Sequence, residues 1–303
     1  MNSPPSRGAI AAVFVLLSLI WGTTWAAIRV SLRGIPPFLG VSLRFALAAA
    51  VLLAAAGFWR VPLGRRRRER WLWLTNGILS FCGSYGIVYW AEQHIPSGLA
   101  AVIFASFPLL TIVLAHFFLD GERMTMRSAA GVLVGFAGLA VIYSEDLSRL
   151  GDSDVALASA VMLGSPIVSA VANLLAKRFG EGIHPISLTA VPMGMAAIVM
   201  GGASAVVERH APATWEGASL VAVAYLALVG SALTFTAYYW LLARTSAVRT
   251  SLIAYTTPIV AVTVGLFFMD EKLTGRIAAG TAFVLAGVVV ATWPERQAAL
   301  GRR

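Results

Sequence analysis

Long apolar runs, separated by short polar gaps, follow one another along the whole chain. A helix needs about 20 apolar residues to cross the hydrocarbon of a bilayer, and most of these runs reach that length. The gaps leave room for little besides helices. The pattern therefore predicts an all-α integral membrane protein with ten transmembrane helices, at residues 8–28, 35–59, 71–91, 95–119, 128–144, 155–176, 184–207, 217–243, 250–269 and 277–294.

The fourth and ninth predicted helices repeat one sequence pattern. Residues 104–120 read FASFPLLTIVLAHFFLD and residues 253–270 read IAYTTPIVAVTVGLFFMD, each with a proline inside an apolar run and an aspartate at its end. An offset of 150 residues aligns further identical residues, and the match continues into the fifth and tenth helices after one residue is dropped. The identical pairs include Tyr89 with Tyr239, Trp90 with Trp240, Ile103 with Ile253, Pro108 with Pro258, Phe118 with Phe268, Asp120 with Asp270, Gly131 with Gly280, and Gly138 with Gly287.

The two halves predict an inverted repeat. Because five helices per half is an odd number, the second copy enters the membrane from the opposite side. We expect residues 1–150 to form the first five-helix repeat, helices 1–5, and residues 151–303 to form the second, inverted repeat, helices 6–10. Secondary transporters use such halves to open a central site first to one side and then to the other. The repeat therefore predicts transport by alternating access.

Composition and charge narrow the class of protein. Hydrophobic residues make up 58% of the chain and charged residues 12%, about half the charged fraction of a soluble domain. The net charge of +9 comes from residues in short gaps that form no face, which argues against nucleic-acid binding. Of 23 lysines and arginines, 16 fall in gaps on one side, 6 on the other, and Arg44 within a span. The positive-inside rule places both termini in the cytoplasm and makes residues 65–68, RRRR, a topology anchor.

Several short motifs resemble a known family. They are WGTTW at residues 21–25, Arg44 followed by phenylalanine, the two proline-containing helices, and the turns GERMT at 121–125 and DEKLT at 270–274. Over essentially its whole length the chain resembles the drug/metabolite transporter superfamily, in its ten-helix EamA-type branch. The resemblance implies export of a small metabolite and says little about the substrate. The arginine-containing termini and the absence of a signal cleavage site favour the inner membrane of a bacterium. The aromatic-rich third and fourth helices favour an amino-acid exporter that accepts aromatic or large apolar side chains.

Small and polar side chains recur at helical spacing on several predicted helices. Such positions either hold helices together or line a cavity, and the sequence leaves both alternatives open. Together with nearby aromatic residues, they predict a pocket suited to a small amphipathic solute. The candidates for its lining are Trp21, Thr24, Asn76, Ser80, Ser84, Phe107, Met162, Ser165, Tyr238 and Tyr255.

Two prolines, two tyrosines and one arginine are candidates for moving or charged parts. Pro108 and Pro258 each remove a backbone hydrogen bond, and the resulting bend is either a packing kink or a hinge beside the substrate path. Tyr89 and Tyr239 lie near helix ends, where they form either an interfacial aromatic belt or a gate. Arg44 is a charge within a span, which either pairs with other groups of the protein or attracts a substrate carboxylate.

The spans also lack certain residues. None carries an aspartate or glutamate near its middle, and Glu92 lies at a helix end, so proton coupling has no candidate group. We therefore expect facilitated diffusion of a neutral or zwitterionic metabolite, with a proton-coupled drug or metabolite antiporter as the alternative.

The single cysteine, Cys82, supports no disulfide or metal site. The sequence contains none of the common enzyme motifs, so we expect that the protein is not an enzyme and that it binds no cofactor. The expected partners are a small-molecule substrate and lipid, and the oligomeric state stays open.

Overall fold

The structure, a computed structural model, describes residues 6–95, 97–142, 144, 153–257, 259–260 and 275–292. All regular structure in these ranges is helical and coincides with the ten predicted spans, the ninth over its first part. The prediction of an all-α membrane protein is confirmed. In chain order the helices are the first (Arg7–Ser31), the second (Pro37–Phe58), the third (Arg67–Asn76, Gly77–Ser84 and Tyr85–Ala91), the fourth (Ser97–Phe104 and Phe107–Phe118), the fifth (Met126–Ile142), the sixth (Ser153–Met162 and Gly164–Phe179), the seventh (Pro185–Val207), the eighth (Gly217–Ala227, Leu228–Leu233 and Thr234–Leu242), the ninth (Ala247–Ser251 and 253–257) and the tenth (Gly275–Thr292).

Apolar side chains cover the outside of the bundle. Six of the described helices are long and apolar enough to cross a membrane. Their outward residues include Ile198, Val206 and Phe117, which are 78%, 74% and 72% exposed. Large apolar side chains at such exposure would be unfavourable in water and are at home in lipid. The described bundle therefore presents a lipid-facing surface around a packed interior.

A break divides the fourth helix, which the apolar pattern predicts as one continuous span. The first part ends at Phe104, and the second begins at Phe107, so the break lies directly before Pro108. A proline at this position has no N–H to donate to the carbonyl four residues earlier, and its ring crowds that carbonyl. The bend expected from Pro108 is therefore present. Pro258, its counterpart in the repeat, lies outside the described residues.

The third and eighth helices each contain a π-helical segment. These segments are Gly77–Ser84 and Leu228–Leu233, and the repeat offset of 150 residues places the second within the range equivalent to the first. At the end of the second segment the hydroxyl of Thr234, the residue that follows it, donates to the carbonyl of Val229, five residues earlier. A π segment inserts an extra residue into a helix and therefore rotates the side chains that follow it. Both halves carry this irregularity at the same place, which supports the duplication.

The fifth and tenth helices approach each other through glycines. A Cβ atom at Gly131 would lie 2.7 Å from the carbonyl oxygen of Gly287, and one at Gly138 would lie 2.7 Å from that of Gly280. The sequence alignment pairs Gly131 with Gly280 and Gly138 with Gly287. Gly131 thus lies against Gly287, the counterpart of Gly138, and Gly138 lies against Gly280, the counterpart of Gly131. This is the arrangement of a self-complementary interface with two-fold symmetry. The close approach is therefore arranged as an inverted repeat requires.

Replacing Gly287 with leucine should destabilise the protein by about 3 kcal/mol or more, because overpacked side chains force backbone shifts. A Cβ atom there would lie 2.4 Å from the backbone nitrogen of Gly135. Gly202→Leu is the matched control, since Gly202 is exposed and its Cβ position has no atom within 4 Å. Thermal unfolding in detergent, followed by the monodisperse fraction, measures the difference. Equal unfolding temperatures for the two variants would contradict the glycine contact.

Candidate functional site

A cavity of about 120 Å³ lies between the first, third and fourth helices of the first half and the sixth, eighth and ninth helices of the second. These are equivalent helices of the two halves, so each half contributes the same three elements. The second and seventh helices pack together outside this group, where the hydroxyl of Ser42 donates to the carbonyl of Ala197 at 2.8 Å. The cavity therefore lies where the two halves meet, as expected for a site that both halves open in turn.

Aromatic rings form much of the cavity wall. The ring centroid of Trp21 is 5.4 Å from that of Phe235 and 5.3 Å from that of Tyr238. The ring centroids of Trp25 and Phe104, which also line the cavity, are 6.0 Å apart. These edge-to-face and tilted arrangements are the favourable ones for aromatic pairs. The rings that line the cavity are Trp21, Trp25, Tyr85, Phe104, Phe107, Phe235, Tyr238 and Tyr239.

The polar groups of the lining residues are hydroxyl groups, one amide and the indole N–H groups of Trp21 and Trp25. The hydroxyl of Ser84 is 2.8 Å from that of Ser165 and accepts a hydrogen bond from Ser169 at 2.8 Å. The hydroxyl of Tyr238 donates to Oδ1 of Asn173 at 2.8 Å. None of the lining residues within the described ranges is charged. The cavity therefore offers hydrogen bonds and aromatic faces without a fixed ion.

Arg44 is fully buried and lies beside the lining residue Tyr85 at one end of the cavity, called here the Arg44 end. Its guanidinium donates to the hydroxyl of Ser231 at 2.7 Å, to the carbonyl of Gly230 at 3.1 Å and to the hydroxyl of Tyr89 at 3.3 Å. Its Cζ atom also lies 4.6 Å from the ring centroid of Tyr85. These neutral partners satisfy the cation, and two of them belong to the π segment of the eighth helix. The arrangement fits the structural alternative for Arg44.

Beyond the opposite end of the cavity lies a larger space, called here the vestibule, of about 950 Å³. Tyr239 borders both the cavity and the vestibule. Its hydroxyl accepts a hydrogen bond from Nδ2 of Asn76 at 2.7 Å, and the same amide donates to the carbonyl of Leu188 at 3.3 Å. This hydrogen-bonded pair separates the two spaces. The charged or titratable residues that line the vestibule are Arg65, Arg66, Glu69, Lys177, Glu181, His184 and Arg244.

Glu92 is the C-cap of the third helix, in the turn before the fourth helix, and is 1% exposed. Its Oε2 accepts a hydrogen bond from Ser97 at 3.1 Å, whereas Oε1 has no partner in the described part of the chain. Arg29 donates to the backbone carbonyls of Glu92 and Ile95, at 3.0 and 3.1 Å. Burial raises the pKa of Glu92 to about 8. The turn therefore holds a buried carboxyl group, which its position at a helix end does not predict.

The structure brings six of the ten predicted lining residues to the cavity and places four elsewhere. Met162 is packed in the core, and Tyr255 lies against the fifth helix, where its hydroxyl donates to the carbonyl of Val132 at 2.8 Å. Asn76 and Ser165 lie behind the lining and bond to residues in it, Tyr239 and Ser84. The residues at the cavity are Trp21, Thr24, Ser80, Ser84, Phe107 and Tyr238.

The predicted gate residues are buried. Tyr89 is 0% exposed and Tyr239 is 5% exposed, and both bond inside the bundle, so the aromatic-belt alternative is wrong for them. Their indole neighbours in the sequence, Trp90 and Trp240, are only partly buried. A π segment precedes both tyrosines, and its extra residue turns them inward. Among the described residues, no group of three His, Cys, Asp or Glu side chains is placed to hold a metal ion.

Comparisons with known proteins agree with this architecture. The model of the EamA-like transporter family matches residues 8–144 and again residues 156–293. The chain is 30% identical over 302 residues to a protein of Streptantibioticus cattleyicolor named "Probable terminal-alkyne amino-acid exporter", covering 95% of this chain and 94% of the relative. It is 28% identical over 292 residues to the "Uncharacterized inner membrane transporter YedA" of Escherichia coli, covering 95% and 90%. A solved crystal structure, 22% identical, matches with a TM-score of 0.79 over 95% of this chain and 97% of that chain, which shows the fold.

The inverted halves, the central cavity and the relatives named as transporters define a multi-pass membrane transporter that acts on a small molecule, not an enzyme. The chain belongs to the EamA-like transporter family. The family confirms the ten-helix fold with its internal repeat and the resemblance found in the sequence motifs.

Proposed function

We propose that this protein exports small neutral or zwitterionic metabolites, and that its substrates are amino acids with large apolar or aromatic side chains. The observation that carries the proposal is the central cavity, whose described lining combines aromatic walls with hydroxyl groups and one amide and contains no charge. A zwitterion brings no net charge into such a site, whereas a sugar phosphate would need a fixed cation there. Aromatic faces suit both the apolar side chain and the ammonium group.

The name of one relative supports the same substrate class. The protein of Streptantibioticus cattleyicolor is named as an exporter of a terminal-alkyne amino acid, which is a zwitterion with an apolar side chain. Its 30% identity extends over nearly the whole of both chains. The cavity of the present protein is compatible with a substrate of that chemistry, with rings in place to contact the apolar part.

The path of export runs from the vestibule through the cavity to the Arg44 end. The vestibule contains part of the arginine run at residues 65–68, and the positive-inside rule assigns this face to the cytoplasm of the cell's inner membrane. Both termini then lie in the cytoplasm. Arginine and lysine side chains at the entrance would draw substrate carboxylates towards the cavity.

Two tyrosines that are equivalent in the repeat close the two ends of the cavity. Tyr239 with Asn76 separates it from the vestibule, and Tyr89 with Arg44 lies at the other end. Because the halves are inverted, an exchange of conformations between them would open one closure as the other forms. The break at Pro108 acts as a hinge in this exchange, and Pro258, its counterpart in the repeat, is the second proposed hinge residue. The mode of transport is facilitated diffusion down the substrate gradient.

Flux measurements in proteoliposomes test the proposal. Purified protein is reconstituted, and uptake of labelled amino acids is followed against empty liposomes, with glutamate and lysine as charged controls. We expect saturable flux of phenylalanine, tryptophan and leucine at least about tenfold above the charged amino acids, since burying an uncompensated charge costs several kcal/mol. Equal flux of all amino acids, or none, would overturn the proposal.

Exchange of substrate for protons is a second candidate, and the buried carboxyl group of Glu92 favours it. The same vesicles, with and without an imposed pH gradient, separate the two modes. A facilitator gives equal flux in both cases. Flux that depends on the gradient in the wild type, and loses that dependence in Glu92→Gln, would establish proton exchange instead.

A further inference from the structure

Two N–H groups in the cavity have no hydrogen-bond partner in the part of the chain that the structure describes. They are Nε1 of Trp21 and Nδ2 of Asn173, and both atoms are buried. Asn173 is 5% exposed, and both residues line the cavity. Leaving a buried donor unpaired costs about 1–3 kcal/mol. Two such donors on residues that line one cavity indicate a ligand that supplies the acceptors.

Tyr238 connects the two donors. Its hydroxyl donates to Oδ1 of Asn173 at 2.8 Å, which orients the amide so that both hydrogens of Nδ2 stay available. Its ring lies 5.3 Å from that of Trp21, measured between centroids. The indole and the amide therefore border the same side chain from two different helices, the first and the sixth. Both donors are neutral, and each can only donate when an acceptor enters.

We infer that Trp21 and Asn173 form the subsite for the carboxylate of the substrate, an inference that rests on the proposed amino-acid transport. A carboxylate carries several lone pairs and binds N–H donors more strongly than a neutral oxygen does. The ammonium group of the same substrate needs no acidic partner, since the faces of Phe235 and Tyr238 adjoin the donors. Recognition is thus of an α-amino acid as a whole, and amines without a carboxylate are poor substrates.

Two substitutions remove the donors with little change in shape. Trp21→Phe keeps an aromatic ring and deletes the N–H. Asn173→Asp keeps the oxygen that accepts from Tyr238, deletes the N–H donors and adds a negative charge. Ser159→Ala is the matched control, because Ser159 lies on the same helix as Asn173, carries a buried hydroxyl without a partner among the described residues, and is not part of the cavity lining. Unfolding temperatures of all variants show that the fold is retained.

Flux of labelled phenylalanine and of phenethylamine, which lacks the carboxylate, is measured for each protein. We expect Trp21→Phe to lower phenylalanine flux about tenfold and Asn173→Asp about a hundredfold, as for lost hydrogen bonds to a charged group. Asn173→Asp should also raise phenethylamine flux above that of phenylalanine, while Ser159→Ala stays within about twofold of wild type.

Each remaining outcome has one meaning. If wild-type protein moves phenylalanine and both donor variants move it equally well, the carboxylate subsite is overturned and the proposed function stands. If the variants lose phenylalanine and phenethylamine to the same extent, the two residues shape the cavity and do not select the carboxylate, which also overturns the inference. If wild-type protein moves no amino acid, the proposed function itself fails, and this result is obtained before any variant is compared.

Discussion

Replacing Arg44 with methionine is expected to lower transport about tenfold or more while the protein stays folded. Methionine has a similar length and no charge, so it removes the desolvation penalty of a buried cation together with its hydrogen bonds. These two effects oppose each other in the free energy of unfolding, and we expect a small net change in stability. The loss of transport has a different origin, which lies in the eighth helix.

Arg44 holds the π segment of the eighth helix in place. It donates to the hydroxyl of Ser231 and to the carbonyl of Gly230, both within that segment. Without these donors the segment gains by returning to ordinary α-helical bonding. Each residue of an α-helix adds about 100° of rotation, so loss of the extra residue would turn Phe235 and Tyr239 away from the cavity. The aromatic wall and the closure towards the vestibule would be lost together.

Three variants separate charge from geometry at this position. Arg44→Lys keeps the charge as a single ammonium that cannot reach both acceptors in the same fork, so we expect intermediate flux. Arg29→Met is the control, because Arg29 is exposed and donates to two carbonyls of a turn. Flux in proteoliposomes and unfolding temperature are measured for each. Wild-type flux in Arg44→Met would show that Arg44 is not required for the wall, and loss of the folded protein would show that it chiefly stabilises the bundle.

The sequence predicts helices and their breaks well because both depend on local chemistry. Apolar length places the ten spans, and Pro108 places the break in the fourth helix, since a missing N–H acts on the residues next to it. Arg44 is recognised as a charge within a span. Its acceptors cannot be recognised, because Gly230 and Ser231 lie on another helix and carry no mark of this contact.

The lining of the cavity is harder to predict, since a helical stripe does not say which turn faces the cavity. On the sixth helix, Met162, Ser165, Ser169 and Asn173 share a face, yet only Ser169 and Asn173 are part of the described lining. The π segments add a second difficulty. They have no clear signal in the sequence, and they shift the phase of the residues after them, which brings Tyr85 into the lining. Tertiary packing decides both features.

Glu92 is a titratable group whose burial the sequence does not predict. This burial leads to the second large expected effect, a change of stability with pH. From the sequence it is an acid at a helix end, where exposure is the ordinary expectation. In the structure the turn before the fourth helix covers it, with Ser97 as the hydrogen-bond donor to one oxygen. Burial favours the neutral form of this carboxyl group and outweighs the opposing effects of the Ser97 hydrogen bond and of the nearby Arg29 and Arg44. The pKa of Glu92 is accordingly raised from 4.5 to about 8.

A raised pKa in the folded state makes stability fall as pH rises. Below pH 4.5 the group is protonated in both states and contributes no difference, whereas between 4.5 and about 8 only the unfolded chain loses the proton. The stability of the wild type should therefore decrease across this window and level off above it. The full difference is on the order of 5 kcal/mol, from 1.36 kcal/mol per pH unit. Glu92→Gln, which stays neutral, should lack this slope and be the more stable protein at pH 8.5.

Thermal unfolding of purified protein in detergent, recorded from pH 5 to pH 9, measures this slope. Glu208→Gln is the control, because we expect it to lower the stability where Glu92→Gln raises it. Both carboxylate oxygens of Glu208 accept backbone N–H groups at the start of the second helix, from Phe38 at 2.7 Å and Leu39 at 3.0 Å. A glutamine there places an N–H₂ group against a donor, so we expect Glu208→Gln to destabilise the protein by about 1–3 kcal/mol. Parallel pH curves for wild type and Glu92→Gln would show that Glu92 does not lose its proton within this window. A pH dependence of the unfolding temperature that is lost only in Glu92→Gln would show that the turn between the third and fourth helices is pH-sensitive.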